Sequence, residues 1–134
     1  MYRFYKRSVG ALALNKKFDI DLAYGLAAEN KLYHHIAGSK IELKTERDSW
    51  QATGNVAIEF EYRGQPSGIA VTQATFWCHE LRRNNYTLLY LMFPTWKLKQ
   101  ICRKYYSQNG YVIGGDNKAS KMILLPIKDL LGHV

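Results

Sequence analysis

Residues 41–62, IELKTERDSWQATGNVAIEFEY, decide how this chain is read. Two stretches of apolar–polar alternation flank a turn-rich middle, the pattern of two half-buried strands. On the first, Ile41, Leu43 and Thr45 fall on one side and Glu42, Lys44 and Glu46 on the other. On the second, Val56, Ile58, Phe60 and Tyr62 oppose Ala57, Glu59 and Glu61. A turn in residues 48–55 makes the pair a hairpin. In register, the charged faces coincide, and Glu42, Lys44, Glu59 and Glu61 share one surface. Carboxylates about 5 Å apart repel one another. Ordinary solvation with Glu–Lys pairing relieves that repulsion, and so does a bound divalent cation. Mg²⁺ takes one or two carboxylates together with waters and phosphate oxygens. Lys44 among the acids neutralises part of their charge and could orient a water or steady a phosphate in its transition state.

Upstream, residues 19–36, DIDLAYGLAAENKLYHHI, read as a helix capped by Asp19 or Asp21 and stopped at Gly38. Leu22, Leu26, Tyr33 and Ile36 form its apolar stripe, with Glu29 inside the stripe. A carboxylate on a buried helix face must be paired or bind a cation, unless it sits at the rim and reaches water. Residues 1–17 are a basic, aromatic arm in which Tyr2 to Tyr5 could pair as a strand.

Downstream, RGQPSGIAVT (63–72) reads as a loop, and Thr72 caps a short helix QATFWCHEL with Ala74, Trp77, Cys78 and Leu81 inward. YTLLYLMF (86–93) is a continuous apolar run, expected as a strand buried on both faces. Pro94 and Thr95 open a helix with Leu98, Ile101, Cys102 and Tyr105 inward and Lys97, Lys99, Arg103 and Lys104 outward. Strands at 111–115 and 121–127, a turn between them and a short closing helix complete the order. The expected class is α/β: a single domain over residues 1–134 with a mixed β-sheet flanked by helices.

The length, 134 residues, suits one domain with a real core. No apolar run approaches the ~20 residues of a membrane span. The basic start MYRFYKRSVGALALNKK has too short and interrupted an apolar piece for a cleavable secretory leader. Cys78 and Cys102 lack metal-ligand spacing and read as reduced core thiols of an intracellular protein. Nineteen Lys and Arg against eleven Asp and Glu give +8, which favours a polyanionic partner, most often nucleic acid. Arg82 and Arg83 with Asn84 and Asn85, and Lys97 to Lys104, are candidate backbone contacts, although such a cluster judged alone is more often a solvated face. His34, His35, His79 and His133 have no metal-pair arrangement, and Ser67 has no histidine placed to activate it, which removes a serine hydrolase.

The order of helix with Glu29, strand with an acid, and strand with Glu59-x-Glu61 resembles the PD-(D/E)XK nuclease core with its restriction-endonuclease-like fold. It is most similar to small phage-encoded, Holliday-junction-resolvase-like members. GLAAENKL, IELKTERD, TGNVAIEFEYRGQPSGI, the following T-x-A-x-x-W and a late GGD carry the resemblance, over residues 19–131. It implies a Mg²⁺-dependent DNA endonuclease (Mn²⁺ substituting), acting as a homodimer in the cytoplasm, the host's if phage-encoded. Carried over, Glu29 is the helix acid, Glu42 the strand acid and Glu59 the first acid of the tripeptide. Glu61 stands where the family has lysine, and Lys44 could supply that amine. Together Glu29, Glu42, Glu59 and Glu61 would hold the metal. A second mapping takes Glu42–Leu43–Lys44 as the E-x-K itself, and Asp48 is an alternative strand acid. Gln73 to Trp77 also resembles the Q-x-x-x-Y helix of recombination-type members. Glu61 in the lysine position also allows a nucleic-acid-binding protein without catalysis, or a phage modulator of a host nuclease.

Overall fold

The computed structural model describes residues 16–133, and the N-terminal arm with its Tyr2–Tyr5 segment lies outside the described residues. The chain divides into two compact units, Met1–Gly38 and Ser39–Val134. In the first, helix α1 spans Lys16–Ile36. It buries none of its residues: Leu22, Leu26 and Tyr33 of the expected stripe stay 41%, 55% and 57% exposed.

The second unit holds β1 (Ile41–Glu46), α2 (Ser49–Thr53), β2 (Asn55–Tyr62), β3 (Gln65–Pro66), β4 (Phe76–Arg83), β5 (Tyr86–Pro94), α3 (Thr95–Asn109), β6 (Val112–Gly114) and β7 (Ser120–Pro126). Short 3-10 turns follow β3, β6 and β7. The strands form two sheets rather than one: β1-β4-β5 and β3-β2-β7-β6. The first is mixed, with β1 parallel to β4 and β4 antiparallel to β5; the second is wholly antiparallel.

The expected 41–62 hairpin does not form. The middle segment coils into α2, ended by Gly54 in the left-handed conformation with its N–H on the Trp50 carbonyl at 2.7 Å. That turn sends the chain into a different sheet, where β2 pairs with β7. β1 instead takes β4 as a parallel neighbour, which the long crossover between them permits.

The expected helix at 73–81 is also corrected. Residues 76–83 are the central strand of the first sheet, so Gln73 to Trp77 is not helical. Ala74, Trp77, Cys78 and Leu81 match a helical stripe, but Trp77, His79 and Leu81 match a strand face equally well. Asn84 and Asn85 arbitrate. Both have positive φ, 49° and 65°, and Arg83 pairs with Tyr86 across them, giving a two-residue hairpin loop of the primed kind. β5 pairs only with β4 and is therefore an edge strand. Its Leu88, Tyr90 and Met92 are 53%, 59% and 43% exposed, so it is not buried on both faces.

Helix α3 follows its periodicity. Leu98, Ile101 and Cys102 are buried and Tyr105 is half-buried. They pack with Val56 and Ile58 of β2, Trp77 and Leu81 of β4, and Ile123 and Leu125 of β7, so one core joins both sheets. Cys78 and Cys102 are buried free thiols; burial pushes Cys102 up to about 12. Among the described residues no helix is long and apolar enough to cross a membrane.

Candidate functional site

β1 lies beside β4 with Glu42 opposite Trp77 and Lys44 opposite His79. Since paired residues share a sheet face, the charged side of β1 turns toward the core side, where Trp77 and His79 are buried. The apolar side faces outward, leaving Ile41 40% and Leu43 51% exposed. This inverts the polarity expected of an isolated amphipathic strand, and it places Glu42 half-buried at the rim of the core.

There Glu42 is well provided with donors. Lys44 Nζ lies 2.8 Å from Glu42 Oε1, and the Thr72 hydroxyl donates to Glu42 Oε2. Partial burial alone would push the Glu42 carboxyl up. The hydrogen bonds from Lys44 and Thr72, with the charges of Lys44 and Lys40, outweigh it and hold the group below the ordinary carboxylate value. Lys44 also sits 5.4 Å from the centre of the Trp77 ring, which steadies the amine on an aromatic face.

Thr72 belongs to the loop 67–72, and the other end of that loop holds Glu59. Ser67 Oγ donates to Glu59 Oε2 at 3.1 Å, while the Ser120 hydroxyl donates to Glu59 Oε1. The loop is one 3-10 turn, in which Ala70 N–H donates to the Ser67 carbonyl at 3.0 Å and Val71 N–H to the Gly68 carbonyl at 3.2 Å. Thr72 N–H also donates to the Gly68 carbonyl, at 3.0 Å. Gly68 has φ +51°, and a Cβ there would stand 2.2 Å from the Glu59 carbonyl oxygen. Only glycine lets the loop lie this close to β2. The PSG of the sequence thus has a concrete task, and Thr72 holds a carboxylate instead of capping a helix.

The remaining expected site residues are distributed differently. Glu61 pairs with Lys121 of β7 at 2.8 Å, so Lys121 is the amine beside Glu61. That hydrogen bond, opposed by partial burial, raises the Lys121 pKa. Lys44 stays with Glu42, and the shared four-residue surface of a β1–β2 hairpin is absent. Glu29 lies on α1, in the first unit, and is exposed. Among the described residues no three His, Cys, Asp or Glu side chains group closely enough to hold a metal ion.

Two side chains left without a role on the sequence tie the fold together. His79 is fully buried: its Nε2 accepts from Trp77 Nε1 at 2.9 Å, and its Nδ1 approaches Glu46 Oε1 at 3.3 Å without hydrogen-bond geometry. Glu46 Oε1 also accepts the Ala57 N–H at 2.9 Å, linking β1 to β2 across the two sheets. Glu46 stood on the charged side of β1 in the sequence, but nothing local marked its partner. Comparison with protein-family models, curated proteins and solved structures returned no match.

Proposed function

We propose that this chain is a metal-dependent DNA endonuclease of the PD-(D/E)XK type, acting on branched or four-way-junction DNA, with Glu42–Leu43–Lys44 as its E-x-K element. One observation carries the reading. Glu42 is a half-buried carboxylate kept ionised by Lys44 at 2.8 Å and by Thr72. This favours the second mapping of the family pattern, in which lysine and acid lie on one strand, over the mapping through Glu59 and Glu61.

The donor chemistry fits a hard cation. A carboxylate retains free lone pairs after accepting one hydrogen bond per oxygen, and Mg²⁺ needs only one or two carboxylates beside waters. Glu42 would hold it, with Glu59, fastened to the same loop, as the second carboxylate. Bound there, Mg²⁺ would supply an acidified water and neutralise the scissile phosphate. Lys44 holds a positive charge next to that position and can donate to the attacking water or a phosphate oxygen. Thr72 fixes the orientation of the Glu42 carboxylate. Glu61, engaged with Lys121, acts in positioning. A homodimer and a cytoplasmic site of action remain part of the proposal through the resemblance.

The test is incubation of the full chain with supercoiled, linear and four-way-junction DNA in Mg²⁺, Mn²⁺ or EDTA. Metal-dependent cutting should fall about 100-fold or more in Glu42→Ala, a loss typical of removing a principal charge-stabilising group. Undiminished cutting by that variant would overturn the assignment of Glu42. A second reading, a DNA-binding protein without catalysis, is favoured by Glu61, an acid paired with Lys121 where the family pattern has its lysine. It predicts tight, salt-sensitive binding with no cutting in either metal.

A further inference from the structure

A groove lined by residues of α3, of the second sheet and of the loop 67–72, but not by Glu42, has a volume of about 510 Å³. This lies within the roughly 300–1,000 Å³ of small-ligand pockets. Its floor is Phe60, Ile69, Ala70, Cys102 and Ile123, and Tyr106 stands at one wall. Lys99 and Arg103 complete the lining. They sit four residues apart on α3, hence on one helix face. Neither forms an ion pair among the described residues, and the lining contains no carboxylate.

The aromatic wall is extended. Tyr106 and Tyr111 are parallel, 4° apart with centroids at 6.0 Å, and Phe60 meets both edge-on at 5.8 and 5.9 Å. Tyr106 and Tyr111 remain 45% and 42% exposed, and Lys121 lies 5.3 Å from the Tyr111 ring centre. Apolar floor, exposed rings and unneutralised cations match a ligand with a flat apolar body and an anionic tail. A nucleotide has that form: aromatic faces stack bases without regard to sequence, while cations take the phosphate.

We propose that this groove receives one unpaired nucleobase of a DNA strand, its phosphate held by Lys99 and Arg103. The inference rests on the nucleic-acid part of the function proposed above but not on cutting, and it would add a reason for preferring branched over fully paired DNA.

The experiment uses the full chain in EDTA, so that binding is read without cleavage. The probes are single-stranded, flapped and fully paired oligonucleotides, each with one 2-aminopurine. On the single strand and at the flap the fluorophore should change its emission on binding; in the duplex it should not. Ala70→Phe, which fills the groove from an exposed position, should weaken flap binding about tenfold and leave duplex binding unchanged. Replacing both Lys99 and Arg103 by Ala should lower the slope of log affinity against log salt by about 0.7 on single strands, the share of the one phosphate they neutralise. The matched pair Lys118→Ala and Lys128→Ala, outside the lining and the α3 basic face, serves as the control and should leave the slope unchanged. Equal flap affinity in Ala70→Phe, or displacement of the probe by a simple fatty acid but not by a mononucleotide, overturns the proposal. Loss of cutting in Glu42→Ala with the groove signal retained separates the two sites. A wild-type chain that binds no DNA overturns both readings.

Discussion

β1 and β2 stand at the two ends of one stretch, with the same alternation of apolar and acidic residues, yet they meet opposite fates. In β2 the apolar side is the core side: Val56 and Ile58 are fully buried. In β1 the acidic side turns to the core and Leu43 is 51% exposed. Alternation therefore identifies a strand and its two faces, but the neighbouring strand decides which face goes in. β1 takes its orientation from β4, whose inward face carries Trp77, His79 and Leu81. That inversion also produces the candidate site, because it brings the half-buried Glu42 within reach of Thr72.

Truncating one apolar residue on each strand should separate the two faces. Ile58→Ala should cost about 2–5 kcal/mol in urea unfolding, as full burial dictates. Leu43→Ala should stay within about 0.5 kcal/mol. A large loss at Leu43 would mean that the outer face of β1 is covered in solution and that the inversion is only apparent.

A second, smaller contrast concerns the loop joining the acids of the two strands. Gly68→Ala and Gly64→Ala both force a side chain into a positive φ, +51° and +77°, but only Gly68 meets an obstruction. Gly68→Ala should be the more destabilising by about 1–3 kcal/mol, the range of an overpacked contact. Its DNA cutting should also fall, because Glu59 and Thr72 move with the loop. Equal stability losses in the two variants would show that the close approach to Glu59 is not required.

The smallest effect should be electrostatic. The Glu42 pKa is depressed in the folded state, so its contribution to stability is present above the unfolded carboxylate value, near 4.5. It is lost as pH falls through the lower folded value. The difference between wild type and Glu42→Gln should therefore shrink on acidification below pH 4.5. Because Lys44 is 45% exposed, the whole effect should stay under about 1 kcal/mol. A difference that grows on acidification would contradict the pairing.

Much of the second unit was legible locally. The 3.6-residue period of α3, the strand alternation of β2 and the turn-bounded strands near the C-terminus all appear where the pattern put them. The segment 73–83 misleads because eight or nine residues satisfy both a helical and a strand period, and only the Asn84–Asn85 turn breaks the tie. The run 86–93 misleads because continuous apolar character signals burial, while an edge position in a three-stranded sheet leaves one face open. Of the candidate site, the acids Glu42, Glu59 and Glu61 and the amine Lys44 were visible, and their distant partners were not. Thr72, Ser67, Ser120 and Lys121 reach them across 30, 8, 61 and 60 residues of chain.

Period and residue chemistry along a few turns of chain were enough to specify β1, β2, β5, β6 and β7, the amphipathic α3 and the positions of the acids, but not β4, whose pattern also suits a helix. The tertiary structure decided which strands are neighbours, hence which face of β1 is inward and which hydroxyl or amine each carboxylate meets. Those choices depend on pairing between distant segments, and sheet hydrogen bonds are made by backbone groups that every residue shares. Local pattern carries no label for the partner; the packing of Trp77, Ile58, Leu98 and Leu125 into one core supplies it.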